Sequence, residues 1–240
     1  MGCPLRSRDD VHTLKMPEKD EGLPHGFMFM RLTYLRGFEE LMIDFMEEPP
    51  ELRMLIDTVL AYNMRQIELQ IEKDTHKITD GYPLMNFGDG LGMQNSMLIP
   101  PQLWRTYLKP CYAKMYRRCH EAGFNVYMHT DGHVLDIIPD LMECGVNVLN
   151  PQLDVNGADN LAKLCKGKLC LNVDLNRQKF PYWTPLEIDA HIAEAVNTLG
   201  ALEGGLWLQA EIGPDVPIEN IEAICASLTK HRAKFANRAA

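Results

Sequence analysis

Apolar residues recur along this chain with two distinct periods. From Arg36 to Glu47 they fall at helical spacing (Phe38, Leu41, Met42, Phe45). A second helical stripe of Leu52, Leu55, Ile56, Val59 and Leu60 follows the Pro49-Pro50 start and runs to about Lys73. From Pro83 onward, short and almost wholly apolar runs alternate with helical stretches. PLMNF (83–87), FNVYMH (124–129), VNVLN (146–150), KLCLNV (168–173) and GLWLQA (205–210) are predicted strands. The predicted helices between and after them start at Pro100-Pro101, cover most of 134–144 with Pro139 a kink or a late start, and start near Ala158, at Thr184 and at Pro217. Thr184 with Glu187 makes a capping-box pattern. A further strand is expected near residues 26–30, and residues 1–24, polar and holding Pro4, Pro17, Gly22 and Pro24, read as a tail or surface segment. Strands this uniformly apolar, each followed by a helix, imply a parallel sheet, open or closed, in one α/β domain over 25–240.

Composition narrows the partners. The chain has 240 residues, with 24 Lys and Arg against 33 Asp and Glu, a net charge of −9. A nucleic-acid binder presents a basic face, and only Arg117-Arg118 and Lys230 to Arg238 are locally basic, so neither nucleic acid nor an anionic membrane is an expected partner. No apolar run approaches the roughly 20 residues of a membrane helix. The first residues lack a signal-peptide core, and Arg6 stands where a myristoylation signal wants Ser or Thr. Seven cysteines, an odd count without C-x-x-C, argue against a disulfide framework. The expected compartment is the cytoplasm.

Parallel barrels place their chemistry where strands end. The five predicted strands end on Asp89; on His129, Asp131 and His133; on Asn150 and Gln152; on Asn172 and Asp174; and on Glu211. His129 and Asp131, two apart at a strand end, can point the same way. They either bind a metal or form a His–Asp hydrogen bond that orders a loop. Glu211 from another strand could complete a three-ligand set, whose N/O donors suit Zn²⁺, Fe²⁺ or Mn²⁺. Met28, Met30, Met93 and Met97 flank the expected cleft. His12, His25, His76, His191 and His231 have no partner at a suggestive spacing. GDGLGMQ lacks the spacing of a dinucleotide fingerprint, and no G-x-S-x-G occurs.

Three blocks, FGDGLGMQNSMLIPPQLWRTYLKPCYAKM, MHTDGHVLDIIPDLMECGVNVLNPQ and IGPDVPIENIEAI, resemble the uroporphyrinogen decarboxylase superfamily, in family order from about Gly26 to the end. That superfamily holds decarboxylases and corrinoid-dependent methyltransferases. The resemblance implies a (β/α)8 TIM-type barrel with its site at the strand C-termini. In the methyltransferase branch zinc is bound by a strand-end H-x-C pair and a further Cys. Here His129 matches the His, Asp131 stands at the first Cys, and Glu211 is the nearest ligand-capable residue to the second. The implied metal set is His129, Asp131 and Glu211, with zinc or another divalent ion as cofactor. The implied activity is transfer of a methyl group from an O-methyl or similar small molecule to a corrinoid (cobalamin) on a partner protein. Asp89, His129 and Asp131 are then the expected catalytic residues. Met28, Arg31, Gln94, Asn150, Gln152 and Asp174 are the expected substrate contacts. Two other readings stand beside it: a tetrapyrrole carboxy-lyase, although NVDLN departs from that branch's G-N-L-D-P, and a non-catalytic fragment or binding module.

Length sharpens the last of these. A full barrel has eight strand–helix units, and five are legible here with one possible strand ahead of them. The chain is expected to lack its first units, about 100 residues at barrel-average size. A sheet left open at one edge would want a partner, including a second copy of itself.

Overall fold

A computed structural model describes residues 7–13, 15–19, 22–23, 25–73, 83–201 and 204–236. Cys3, Arg238 and much of the expected tail therefore lie outside the described residues. The chain forms two compact units, Met1–Asn147 and Val148–Ala240.

In the first unit, strand β1 (Leu84–Gly88) pairs in parallel with β2 (Asn125–Thr130), and Gly88 lies opposite His129. Three helices precede β1: α1 (Phe29–Arg36), α2 (Phe38–Glu47) and α3 (Pro50–Glu72). Between the strands, a turn of α-helix over Pro101–Leu103 and a π-helical stretch over Trp104–Leu108 lead into α4 (Lys109–Glu121). A short 3₁₀ turn (Leu135–Ile137) and α5 (Ile138–Cys144) follow β2, so Pro139 marks a late start and not a kink. The strand expected near 26–30 is absent; Phe27 and Met28 are bends and Phe29 already begins α1. Those residues are apolar because they are buried on all sides, with Phe27 and Met28 at 0% exposure.

An aromatic ladder fills the core of this unit. Phe27 meets Phe87 and Tyr112 at ring-centroid distances of 5.1 and 5.0 Å, Phe87 meets Tyr116 at 4.8 Å, and Trp104 meets Tyr112 at 5.4 Å. Such contacts are each worth about 0.5–1.5 kcal/mol beyond the area they bury. On the flank, the buried Asp44 carboxylate takes both the Arg36 Nε and Arg8 Nε donors at 2.8 Å, which fixes the break between α1 and α2.

The second unit holds β3 (Val148–Pro151), β4 (Cys170–Asp174) and β5 (Leu206–Gln209), with β4 paired in parallel to both β3 and β5. Its helices are the short α6 (Leu153–Asn156), α7 (Ala158–Cys165), α8 (Pro185–Leu199) and α9 (Ile218–Ala236). The Thr184–Glu187 capping box forms as the sequence predicts. Leu175, Phe180, Ile188, Ile192, Val196 and Ile224 pack as one core. No helix among the described residues is long and apolar enough to cross a membrane.

Asp189 ties α8 to α9. Its carboxylate accepts from Ser227 Oγ at 2.7 Å and Lys230 Nζ at 2.7 Å, with His231 Nε2 at 3.2 Å. Lys230 and Ser227 hold its pKa at about 2, below the ordinary 3.8. A depressed carboxylate contributes stability above the unfolded pKa and loses it as pH falls through the folded one. The difference in melting temperature between the wild type and Asp189→Asn should therefore be constant near neutral pH. It should shrink between about pH 4 and pH 2, as read by thermal melts across that range.

Candidate metal centre at the end of the first two strands

The end of β2 carries His129 and, one residue past Thr130, Asp131. The structure adds a residue that spacing did not single out. His25, just ahead of α1, sits over the end of β1, and its ring lies 5.3 Å from that of His129 at 45°. His25 Nε2 is 3.7 Å from Asp131 Oδ2, and His129 Nε2 is 3.5 Å from Asp131 Oδ1. One ligand atom from each of the three falls within 4.8 Å of the others. Both His–Asp separations exceed the roughly 2.7–3.2 Å of an N–H···O hydrogen bond. Two ligand atoms on one tetrahedral zinc lie about 3.4 Å apart, given Zn–N and Zn–O bonds near 2.1 Å. The cluster is thus close to the spacing a shared cation needs, and its two imidazoles and one carboxylate are donors that divalent zinc, iron or manganese accept. The residues fit a metal. Side-chain exposures of 48%, 28% and 45% for His25, His129 and Asp131 leave room for a further ligand from solution.

Thiols play no part in the cluster. Burial pushes Cys111, Cys144 and Cys165 up to about 11 and Cys119 to about 12, so they stay protonated in the core.

Glycines make the approach of these segments possible. A Cβ on Gly88 would lie 2.5 Å from His25 Nδ1. Gly92 and Gly132 press backbone against backbone: a Cβ on Gly132 would lie 2.0 Å from the Gly92 carbonyl carbon, and Gly132 has φ +77°. Gly92 N donates to Asp131 O at 3.0 Å and His133 N to Met93 O at 2.7 Å, joining the loops after β1 and β2. The Gly-rich GDGLG therefore serves loop packing against the site.

Asp89 takes a different place from the one expected. It is wholly buried, and its two oxygens accept from Phe29 N (2.6 Å), Met30 N (2.9 Å) and Tyr112 Oη (2.6 Å). Burial raises its pKa to about 6 despite these donors. The side chain caps the start of α1 and is closed to solvent, where the sequence suggested a catalytic contact. Met28, an expected substrate contact, is at 0% exposure, and its sulfur accepts from Asn63 Nδ2 at 3.9 Å. Arg31 lines a cavity of about 160 Å³ with Lys15, Leu35, Thr58 and Tyr62. Gln94 is exposed in the turn after β1, beside Met93 at 50% exposure. The buried Nδ1 of His133 has no partner among the described residues.

In the second unit, Asn150 Nδ2 donates to Asp174 Oδ2 at 3.0 Å and to Asn172 O at 2.9 Å, so two expected substrate contacts are brought together. Gln152 precedes α6 and is half-buried. Glu211 is exposed and paired with Arg177.

Parallel strand–helix units with ionisable groups where strands end make this an α/β scaffold of the TIM-barrel type. The family is specific: the uroporphyrinogen decarboxylase (URO-D) model matches residues 28–231, and the chain belongs to that family. A methyltransferase from Methanosarcina mazei shares the fold, with a TM-score of 0.64 at 19% identity, covering 86% of this chain and 57% of that one. The chain thus spans little more than half the length of that methyltransferase. A Yersinia pestis DHPS with a pterine-sulfa conjugate aligns with a TM-score of 0.41 at 18% identity, covering 70% of this chain and 63% of that one. No curated protein sequence matches the chain.

Gly132→Ala should destabilise the protein by more than about 2 kcal/mol, because strain at positive φ adds to a backbone clash. Gly123→Ala is the control: φ is +85° but nothing lies within 4 Å. It should cost only about 1–2 kcal/mol. Urea unfolding of both variants measures the difference.

Proposed function

We propose that this protein is a metal-assisted methyltransferase, moving a methyl group from an O-methyl or similar small molecule to a corrinoid carried by a partner protein. The observation that carries the reading is the His25/His129/Asp131 cluster. Membership of the URO-D family and the shared fold of the Methanosarcina mazei methyltransferase support it. His129 and Asp131 are the two ligands the sequence pointed to. His25 is read as the third in place of Glu211, whose carboxylate is engaged by Arg177.

When bound, a divalent metal here would act as a Lewis acid toward the ether oxygen of the donor. Two neutral imidazoles and a single carboxylate leave more positive charge on the metal than thiolates would, which suits an oxygen leaving group. The remaining work falls to the chain. His25, His129 and Asp131 hold the ion on short segments braced by the Gly92–Gly132 contact. Gln94 and Met93, exposed on the adjoining turn, are the residues of this unit best placed to meet the donor. In the second unit, Asn150, Gln152 and Asp174 are proposed donor contacts on the ground of their strand-end positions. The methyl–oxygen bond breaks and the oxygen keeps the electron pair, leaving as an alkoxide or phenoxide that solvent protonates; the methyl would pass to an acceptor that supplies its own pair, the reduced Co(I) corrinoid of the partner.

Elemental analysis of the purified protein should find roughly one divalent metal per chain, lost in His129→Ala and reduced, with weaker binding, in His25→Ala. Metal-loaded protein should methylate free cobalamin from an O-methyl donor when a chemical reductant holds the cobalamin as Co(I), the state that supplies the electron pair for the new cobalt–carbon bond. Full demethylation by metal-free protein would overturn the reading. Release of CO₂ from uroporphyrinogen would instead favour a decarboxylase, the activity in the family's name.

A further inference from the structure

We infer that Asp89 is a positioning residue that sets the separation of His25 from His129, an inference that rests on the metal reading above. The geometry around residues 88–92 carries it. The Asp89 backbone N–H donates to His129 O at 3.0 Å, holding the segment to the strand that bears His129. The Asp89 side chain reaches the other way. Its Oδ2 accepts from Phe29 N at 2.6 Å and its Oδ1 from Met30 N at 2.9 Å, which pins the first turn of α1. Tyr112 Oη, at 2.6 Å from Oδ2, fixes the carboxylate from the core side. His25 lies four residues ahead of Phe29, and the chain between is tied to the same place: Gly26 N and Phe27 N both donate to Gly88 O, at 2.6 and 3.3 Å.

One residue therefore bonds to the His129 strand through its backbone and to the His25 segment through its side chain. A fully buried carboxylate is costly to desolvate. A local Ser or Asn could cap α1 at lower cost, but neither would span from α1 to β2. Partners one step behind metal ligands, which fix ligand orientation, change metal affinity by about 10–100-fold when removed.

The test measures zinc affinity by competition with a chromophoric chelator, on the full chain. The variants are Asp89→Asn, Tyr112→Phe, His25→Ala and the double variant Asp89→Asn/His25→Ala, with Tyr112→Phe also made in the His25→Ala background. Asn cannot accept at both oxygen positions, so Asp89→Asn should weaken zinc binding about 10–100-fold with circular dichroism and a cooperative melt retained. The double variant should bind no more weakly than His25→Ala alone, because Asp89 acts through His25. The visible spectrum of the cobalt-substituted protein should change in Asp89→Asn towards that of His25→Ala.

Wild-type affinity in Asp89→Asn, or losses that multiply in the double variant, would overturn the inference and leave the metal reading standing. A wild type that binds no zinc would overturn both. Should Asp89→Asn fail to fold, Tyr112→Phe decides: a few-fold loss that disappears in the His25→Ala background supports the inference, and unchanged affinity overturns it.

Discussion

A single buried carboxylate organises the first unit. Among the described residues no cation bonds to Asp89; two amides at the start of α1 and the Tyr112 hydroxyl balance it. Those bonds let α1 begin where it does, directly after a bend that packs Phe27 and Met28 into the core. They also bring the segment ahead of α1, and so His25, over the end of β1. Remove the carboxylate and the helix start, the aromatic ladder beneath it and the third member of the cluster all lose a common anchor.

The same interaction explains where sequence reasoning succeeded and where it failed. Elements whose signals are local were legible. The Thr184–Glu187 capping box lies within four residues, and the apolar stripe of Ala158–Cys165 needs no outside partner. The start of α1 was not legible, because its cap comes from a residue 60 positions away. Without that cap, GFMFM looks like a short apolar strand, since both kinds of element give a continuous apolar run when buried on all sides.

The candidate site divides in the same manner. His129 and Asp131 are two apart on one strand end and could be paired on paper. His25 carries no such mark: its partner His129 is 104 positions later, and the tie of Gly26 and Phe27 to Gly88, together with the Asp89 bonds to the start of α1, brings it near. Asp89 is the converse case. Its position at a strand end was read correctly, but strand ends supply helix caps as well as catalytic groups. The choice between the two depends on burial, which the sequence around it does not encode.

The close contact of Gly92 with Gly132 has a dynamic corollary. The loops after β1 and β2 share main-chain bonds from Gly92 to Asp131 and from His133 to Met93, with no side chain between them. Neither loop can lift alone without breaking bonds of the other. Their amides should then exchange with solvent as one cooperative opening unit, and the backbone bearing Asp131 would share the protection of the β1 loop although the side chain itself faces water.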